Sequence, residues 1–251
     1  MVNVVPLDQK RHAGKGWIRP VGYHFAAGDT LAPLSGSEFA HAVLAMPIGF
    51  IDRAGHYLPV ALMGLTKGTN IFVGPTGQWL GGYVPAVLRS YPFSLGRIEG
   101  REQPIVCVDE DSGLIVEETA PNAEKFFDAD GRPSPTTNWI TDILHRIEQD
   151  QAATNLAVAA LTEARVIRPW ALSIPVGKQQ VTVNGLHQID ETALNRLEDE
   201  TFLKVRKALG LLVAYAQLLS MAQVNVLARL SLIQQQLLQP GEGSTETPLS
   251  Q

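Results

Sequence analysis

Short apolar runs separated by turn residues fill the first 120 residues, and this pattern predicts strands. Glycine-containing turns around Gly55, Gly68 and Gly77 divide the runs. The spacing favours an antiparallel, strongly curved sheet or a partial barrel, with a short helix at 35–45 and a helical turn at 83–90. We predict strands at residues 2–5, 31–34, 48–51, 58–65, 71–73, 94–98 and 105–108.

The pattern changes after residue 120. Residues 121–135 are polar and rich in proline and glycine, which is typical of an exposed linker between a β-rich module at 1–120 and a helical region at 136–239. Apolar residues at helical spacing then predict one long helix or a bent pair from Trp139 to near Arg165. The predicted class is α+β: a β-rich N-terminal module, a curved antiparallel sheet or partial barrel, followed by helices with an inserted β-hairpin.

The helical region contains two further features. Turn residues between apolar runs predict the hairpin at 170–189, and more helices follow it. The segment 240–251 is polar, and we expect it to be a disordered tail.

One uncharged run, residues 208–228, has the length of a membrane span. Its second half contains Gln217, Ser220, Gln223 and Asn225, whose polar groups are costly in hydrocarbon. We therefore predict a buried core helix and no stable membrane insertion, with a membrane or interfacial helix as the alternative.

Composition and charge narrow the classes of partner. The chain is 45% apolar and has a net charge of -5, so it fills a core but has no basic excess for nucleic acid. Acidic residues are concentrated in residues 101–150, which contain 12 acids and 4 bases. Cys107 is the only cysteine, which rules out a disulfide framework within the chain. The first residues have no secretory-signal pattern, and we expect a cytoplasmic protein.

Reactive residues in the chain do not form a known catalytic pattern. The histidines lie singly, without metal-ligand spacing, so neither a metal site nor a cofactor is predicted. Three acidic residues, Asp109, Glu110 and Asp111, directly follow the predicted strand 105–108. They have three possible interpretations: a site for a hard cation, a recognition surface, or a hydrogen-bonded turn. Strand alternation separates Glu110 from the other two, which weakens the cation site.

The segment Tyr91-Pro92-Phe93 has two interpretations. Its rings either anchor the core around a rigid proline or line a groove for a peptide or glycan, with Arg89 beside them. Arg89, Tyr91, Phe93, Asp109, Glu110 and Asp111 are the candidate binding residues.

A series of short motifs is distributed along most of the chain. In chain order they are Phe25-Ala26-Ala27-Gly28, Met46-Pro47-Ile48-Gly49-Phe50, Pro59-Val60-Ala61-Leu62-Met63-Gly64-Leu65, Arg89-Ser90-Tyr91-Pro92-Phe93, Cys107-Val108-Asp109-Glu110-Asp111-Ser112 and Ala214-Tyr215-Ala216-Gln217-Leu218-Leu219-Ser220. Together, over about residues 5–230, they resemble the SapC family of bacterial surface-layer-associated proteins. The resemblance implies a bacterial protein of that system and brings no catalytic residues with it.

These observations favour a non-catalytic accessory or binding protein of an envelope or surface-layer system, whose partner is a secretion or surface-layer protein. The alternative is an enzyme whose site is assembled from dispersed residues near the acidic turn 109–112, with Arg89, Asp109 and Asp111 as participants. The pattern makes no prediction of oligomeric state.

Overall fold

The computed structural model describes residues 3–98, 100 and 103–238. The strands are β1 (Val4–Pro6), β2 (Lys15–Trp17), β3 (Leu31–Pro33), β4 (Ile48–Arg53), β5 (His56–Leu62), β6 (Phe93–Gly96), β7 (Ile105–Asp109), β8 (Ile115–Glu117), β9 (Glu124–Lys125), β10 (Ile167–Pro169), β11 (Leu172–Val176), β12 (Gln179–Val183) and β13 (Leu186–Ile189). The α-helices are α1 (Gln9–His12), α2 (Phe39–Ala42), α3 (Ala86–Arg89), α4 (Pro135–Glu163), α5 (Glu191–Leu194), α6 (Asp199–Lys207), α7 (Gly210–Ser220) and α8 (Val224–Leu238).

Within the described residues, the strands form antiparallel sheets that do not close into a barrel. The largest has the order β10-β13-β4-β5-β3, and smaller sheets have the orders β1-β7-β6, β8-β2-β9 and β11-β12. Helices follow the strand-rich first part, so the α+β prediction is confirmed.

Several details of the sequence prediction differ from the structure. Residues 71–73 do not form a strand, because the side chain of Asn70 accepts the Phe72 N–H at 3.0 Å and holds the segment in turns. Strand β9 lies within the polar stretch 121–135 and pairs with β2. The pairing is close at Gly16, where a Cβ would stand 2.7 Å from the Glu124 carbonyl oxygen. The sequence did not predict this strand, because its residues, Glu124 and Lys125, are polar and form no apolar run.

The predicted hairpin is present between β11 and β12, which turn at Gly177. Strand β13 leaves it and pairs with β4 on one side and β10 on the other. This segment from the second half of the chain therefore belongs to the largest sheet.

Helix α4 contacts both hydrophobic cores of the molecule. Ser134 caps its first turn by accepting the Thr137 N–H at 3.1 Å. Its first half contributes Ile140 and Leu144 to a small core, and its second half contributes Val158 and Leu161 to a large one. The small core also contains Trp17, Phe93, Val108 and Phe126. A single helix of 29 residues thus fixes the position of the two cores relative to each other.

The C-terminal helices form the one stretch among the described residues that is long and apolar enough to cross a membrane. It runs from Gly210 to Leu237, and 33% of its most apolar window is buried in the protein. A core helix of a soluble protein passes the same test of length and composition.

Candidate binding pocket

A pocket of about 640 Å³ opens between the small core and the first half of α4. Most of its lining is apolar or aromatic, and arginines, hydroxyl groups and the carboxylates of Glu38 and Asp150 complete it. Its lining residues are Trp17, Arg19, Pro20, Ser35, Ser37, Glu38, Ala86, Arg89, Ser90, Tyr91, Phe93, Trp139, Ile140, Ile143, Leu144, Arg146, Ile147 and Asp150.

Helix α4 forms the apolar wall of the pocket. Ile143 and Ile147 are one turn apart and half-buried, while Ile140 and Leu144 lie deeper in the small core. Trp139, at the mouth, leaves 53% of its surface exposed. A tryptophan exposed beside an apolar cavity is typical of a binding surface, because its ring buries a large area when a ligand arrives.

The aromatic segment forms the facing wall. Phe93 is buried and meets the Trp17 ring edge to face, with centroids 4.9 Å apart. Tyr91 stacks on Phe25 at 3.9 Å and donates its hydroxyl to Asp109 Oδ2 at 3.2 Å. Burial, followed by the Asp109 charge, raises the pKa of Tyr91 above its ordinary value. The hydroxyl therefore remains a hydrogen-bond donor at neutral pH.

Glu38 is a buried acid that orders one rim of the pocket. Its Oε2 accepts the Ser35 N–H at 3.0 Å and the Ser35 hydroxyl at 3.1 Å. Its Oε1 accepts the Ala86 N–H at 2.7 Å and the Tyr83 hydroxyl at 3.0 Å. Burial, with the Glu38 charge next, raises the pKa of Tyr83 to about 12. The carboxylate thus joins the turn before α2 to the start of α3, and its oxygens have protein partners.

Asp150 and Thr154 tie the same turn to α4. Asp150 Oδ2 accepts the Ser37 N–H at 2.9 Å, and Thr154 Oγ1 accepts the Gly36 N–H at 2.7 Å. Burial opposes ionisation of Asp150, but hydrogen bonds from Ser37 and Ser35 outweigh it and lower its pKa. These bonds hold the rim in a fixed position, so the pocket is preformed.

Three arginines line the pocket, and they differ in how they are neutralised. Arg19 pairs with Glu124 at 2.9 Å and lies over the Trp17 ring. Arg89 donates to the Val84 carbonyl and the Tyr83 hydroxyl, and its guanidinium lies 5.7 Å from the Tyr83 ring centroid. Within the described ranges, neither Arg89 nor Arg146 has a carboxylate within 4.0 Å. The pocket therefore offers cationic groups beside an apolar wall.

A comparison with protein families identifies the chain. The model of the family described as SapC matches residues 7–227. The chain belongs to the SapC family. No curated protein and no solved structure matches this SapC-family chain.

The structure separates the six predicted site residues of this SapC-family protein into two groups. Arg89, Tyr91 and Phe93 line the pocket, and Asp109, Glu110 and Asp111 do not. The Asp109 carboxylate is buried and accepts the N–H groups of Asn3 and Asp111 at 3.1 and 3.2 Å, in addition to the Tyr91 hydroxyl. Asp109 therefore serves the local fold, as the hydrogen-bonded interpretation of this turn requires.

The other two acids of this turn face outward in different environments. Glu110 accepts both Arg11 Nε at 2.6 Å and Arg11 Nη2 at 2.5 Å, and the His12 Nε2 lies 3.3 Å away. Asp111 is exposed. Among residues 3–98, 100 and 103–238, no three acidic, histidine or cysteine side chains gather in a way that could hold a metal ion.

Two pocket residues of the SapC-family chain, Arg19 and Arg146, were not predicted from the sequence, and Trp17 was not among the six predicted site residues. Arg146 could have been found, because it lies three residues after Ile143 on the apolar face of the predicted long helix. Arg19 and Trp17 lie on and after β2, whose sequence, Lys15-Gly16-Trp17, does not resemble a strand. Their position depends on pairing with β8 and β9, which are remote in sequence.

Proposed function

We propose that this SapC-family protein is a non-catalytic accessory protein that binds a protein partner in its pocket, acting from the cytoplasm in a bacterial envelope or surface-layer system. The resemblance to surface-layer-associated proteins supports the system, and the pocket supports the binding. Among the acids and the arginine that an enzyme near 109–112 would use, only Arg89 lines the pocket.

The observation that carries the proposal is the apolar wall of α4 facing the rings of Tyr91 and Phe93 across an open pocket of about 640 Å³. Ligand pockets in proteins combine a mainly apolar lining with a few polar groups that orient the ligand. Here those polar groups are the guanidinium groups of Arg89 and Arg146. The acids at the rim, Glu38 and Asp150, already accept backbone N–H groups, which hold their carboxylates in place.

The lining determines the chemistry of the ligand. An apolar side chain or short apolar segment fills the space against Ile143 and Ile147, and a carboxylate on the same partner meets Arg89 or Arg146. A protein segment with both features, such as an apolar residue beside an acidic one or a C-terminal carboxylate, fits this description.

The first experiment uses 1-anilinonaphthalene-8-sulfonate, which has an aromatic body and one negative charge. We expect saturable binding to the full chain, followed by the fluorescence of the probe. The variant Arg89→Gln should weaken binding about tenfold, since it removes one charge-assisted contact. The variant Ile143→Asp should weaken it further, because a carboxylate in the apolar wall repels the probe. Equal binding by the wild type and both variants would reject the pocket as the site.

A second experiment addresses the protein partner. Tagged wild-type protein and the variants Ile143→Asp and Asp109→Asn/Asp111→Asn are used to capture proteins from the native host, and the captured proteins are identified by mass spectrometry. The proposal predicts that a specific partner is lost with Ile143→Asp and kept with the acidic-turn variant. If the partner is lost only with the acidic-turn variant, the binding surface lies at residues 109–111 and not in the pocket.

A further inference from the structure

Helix α7 is apolar on both its inner and its outer face. The inner face buries Val213, Ala214 and Ala216 together with the polar side chains of Gln217 and Ser220, while leucines on the outer face are exposed. A surface helix of a soluble protein normally exposes a polar face. The exposed leucines indicate that something apolar contacts the outer face.

The buried polar side chains attach the helix to the largest sheet. Gln217 Oε1 accepts the Ile189 N–H at 2.9 Å, and its Nε2 donates to the Ile48 carbonyl at 3.3 Å. Ser220 Oγ accepts the Ile48 N–H at 2.9 Å and donates to the Gln217 carbonyl at 2.6 Å. These bonds satisfy backbone groups at the ends of β4 and β13. Withdrawal of α7 into a bilayer would leave those groups unpaired, so the helix is fixed to the protein.

The outer face carries four large apolar side chains, Leu209, Leu212, Tyr215 and Leu219, here called the apolar face. Leu212, Tyr215 and Leu219 recur at helical spacing and are 54%, 45% and 66% exposed. Leu209 is 63% exposed and has a φ of 62°, in the left-handed region that leucine rarely adopts. Phe202 and Leu203 on α6, which packs against α7, are also exposed.

Cations lie close to the apolar face, in the last turn of α6. This helix begins with the acids Asp199 and Glu200 and ends with Lys204, Arg206 and Lys207. From residue 201 to 238 the chain contains these three bases and Arg229 and no acid, although its net charge is -5. Lys204 pairs with Glu200 at 2.8 Å. Arg206, Lys207 and Arg229 form no ion pair with another described residue. An exposed apolar stripe beside unpaired cations is the pattern of a helix that lies at the surface of an anionic bilayer.

We propose that the apolar face of α7 and the cations of α6 bind the surface of an anionic lipid membrane, with α7 lying parallel to the bilayer. The leucines enter the boundary between headgroups and acyl chains, and Arg206 and Lys207 contact lipid phosphates. A second copy of the chain fits less well, because a symmetric dimer through this face would bring the same cations together. The binding is peripheral, since the inner face of α7 stays on the sheet.

The test uses the full chain and vesicles made of equal parts of phosphatidylglycerol and phosphatidylcholine, with pure phosphatidylcholine vesicles for comparison. Bound protein is measured by co-sedimentation at low and at physiological salt. We expect binding to the anionic vesicles at least about tenfold stronger than to the neutral ones, and weaker at higher salt. The variant Leu212→Gln/Leu219→Gln should lower binding roughly tenfold or more, because the leucines no longer enter the bilayer.

Two further variants sharpen the result. Arg206→Gln/Lys207→Gln should lower binding to anionic vesicles roughly tenfold and leave binding to neutral ones unchanged. Val21→Gln, at a fully exposed apolar residue outside the C-terminal helices, is the matched control and should bind as the wild type does. Glutamine and leucine have similar helix propensity, and the circular dichroism of each variant checks the fold.

Several results would overturn the proposal. These are the absence of wild-type binding to anionic vesicles, equal binding by the wild type and Leu212→Gln/Leu219→Gln, or equal affinity for neutral and anionic vesicles. A dimer in light scattering that only Leu212→Gln/Leu219→Gln dissociates would assign the apolar face to a second copy of the chain.

Discussion

The aromatic segment Arg89–Phe93 and the acidic turn Asp109–Asp111 are neighbours in space but have opposite roles. Strands β6 and β7 are antiparallel, with Phe93 opposite Val108, so the start of one lies beside the end of the other. The Asp109 N–H donates to the Pro92 carbonyl at 3.0 Å. The aromatic segment faces the pocket, whereas the acidic turn holds the N-terminal strand β1 in place.

The difference comes from the hydrogen-bond partners around each segment. Buried Asp109 accepts two N–H groups and the Tyr91 hydroxyl, and Glu110 accepts the fork of Arg11. Arg89 has only a carbonyl, a hydroxyl and a ring as its described partners, and it keeps its charge available beside the pocket. A cluster of charged residues is therefore a poor indicator of a site until its partners are known.

The largest loss of stability is expected for Phe93→Ala, which tests whether the aromatic segment is part of the small core. Phe93 is 5% exposed and packs against Trp17 and Phe126. Loss of the ring should lower the free energy of unfolding by about 3–4 kcal/mol, measured by urea denaturation, because it leaves a cavity in the small core. The matched variant Phe93→Leu should lose less. A loss below about 1 kcal/mol for Phe93→Ala would show that the ring serves the pocket alone.

The next effect is expected from Asp109→Ala, which tests the structural role of the acidic turn. The substitution leaves the N–H groups of Asn3 and Asp111 and the Tyr91 hydroxyl without their shared acceptor. We expect a loss of about 2 kcal/mol in urea denaturation, since each buried group left unpaired carries a desolvation cost. Asp109→Asn retains an acceptor oxygen and should lose less. If Asp109→Ala unfolds like the wild type but no longer binds the sulfonate probe, Asp109 belongs to the site.

The smallest effect concerns the pH dependence of the pair between Glu110 and Arg11. The hydrogen bond from Arg11 lowers the pKa of Glu110 below the ordinary value of 4.5, against the opposing effect of burial. Because the folded pKa is depressed, the stabilisation is present above about pH 4.5 and is lost as the pH falls through the folded pKa. Glu110→Gln should therefore be slightly less stable than the wild type at pH 7, and the difference should shrink as the pH falls below 4.5 and passes through the folded pKa. Thermal unfolding of both proteins over a series of acidic pH values measures this, and a difference that stays constant throughout the series would contradict it.

Local patterns predicted much of the fold. The apolar spacing after Trp139 predicted the long helix, and the turn residues predicted the strands around Gly55 and the hairpin at β11 and β12. The short strands β2 and β9 were missed because they are polar and are held by pairing with remote partners. The sequence singled out Tyr91 and Phe93, which stand out locally and line the candidate pocket, but it did not single out Arg19.

By itself, the sequence determined the α+β class, an apolar side of α4 that needs a partner, and, through its short motifs, the family. The class and the apolar side of α4 depend on residues close together in the chain, through helical spacing, strand alternation and turn chemistry. Only the tertiary structure decided that the Asp109 carboxylate accepts backbone N–H groups and that Arg89 lies beside an open pocket. It also decided that Gln217 is buried while Leu212 and Leu219 are exposed. Each of these depends on which remote groups reach a side chain, and hydrogen-bond partners and burial are set by packing, which no local pattern encodes.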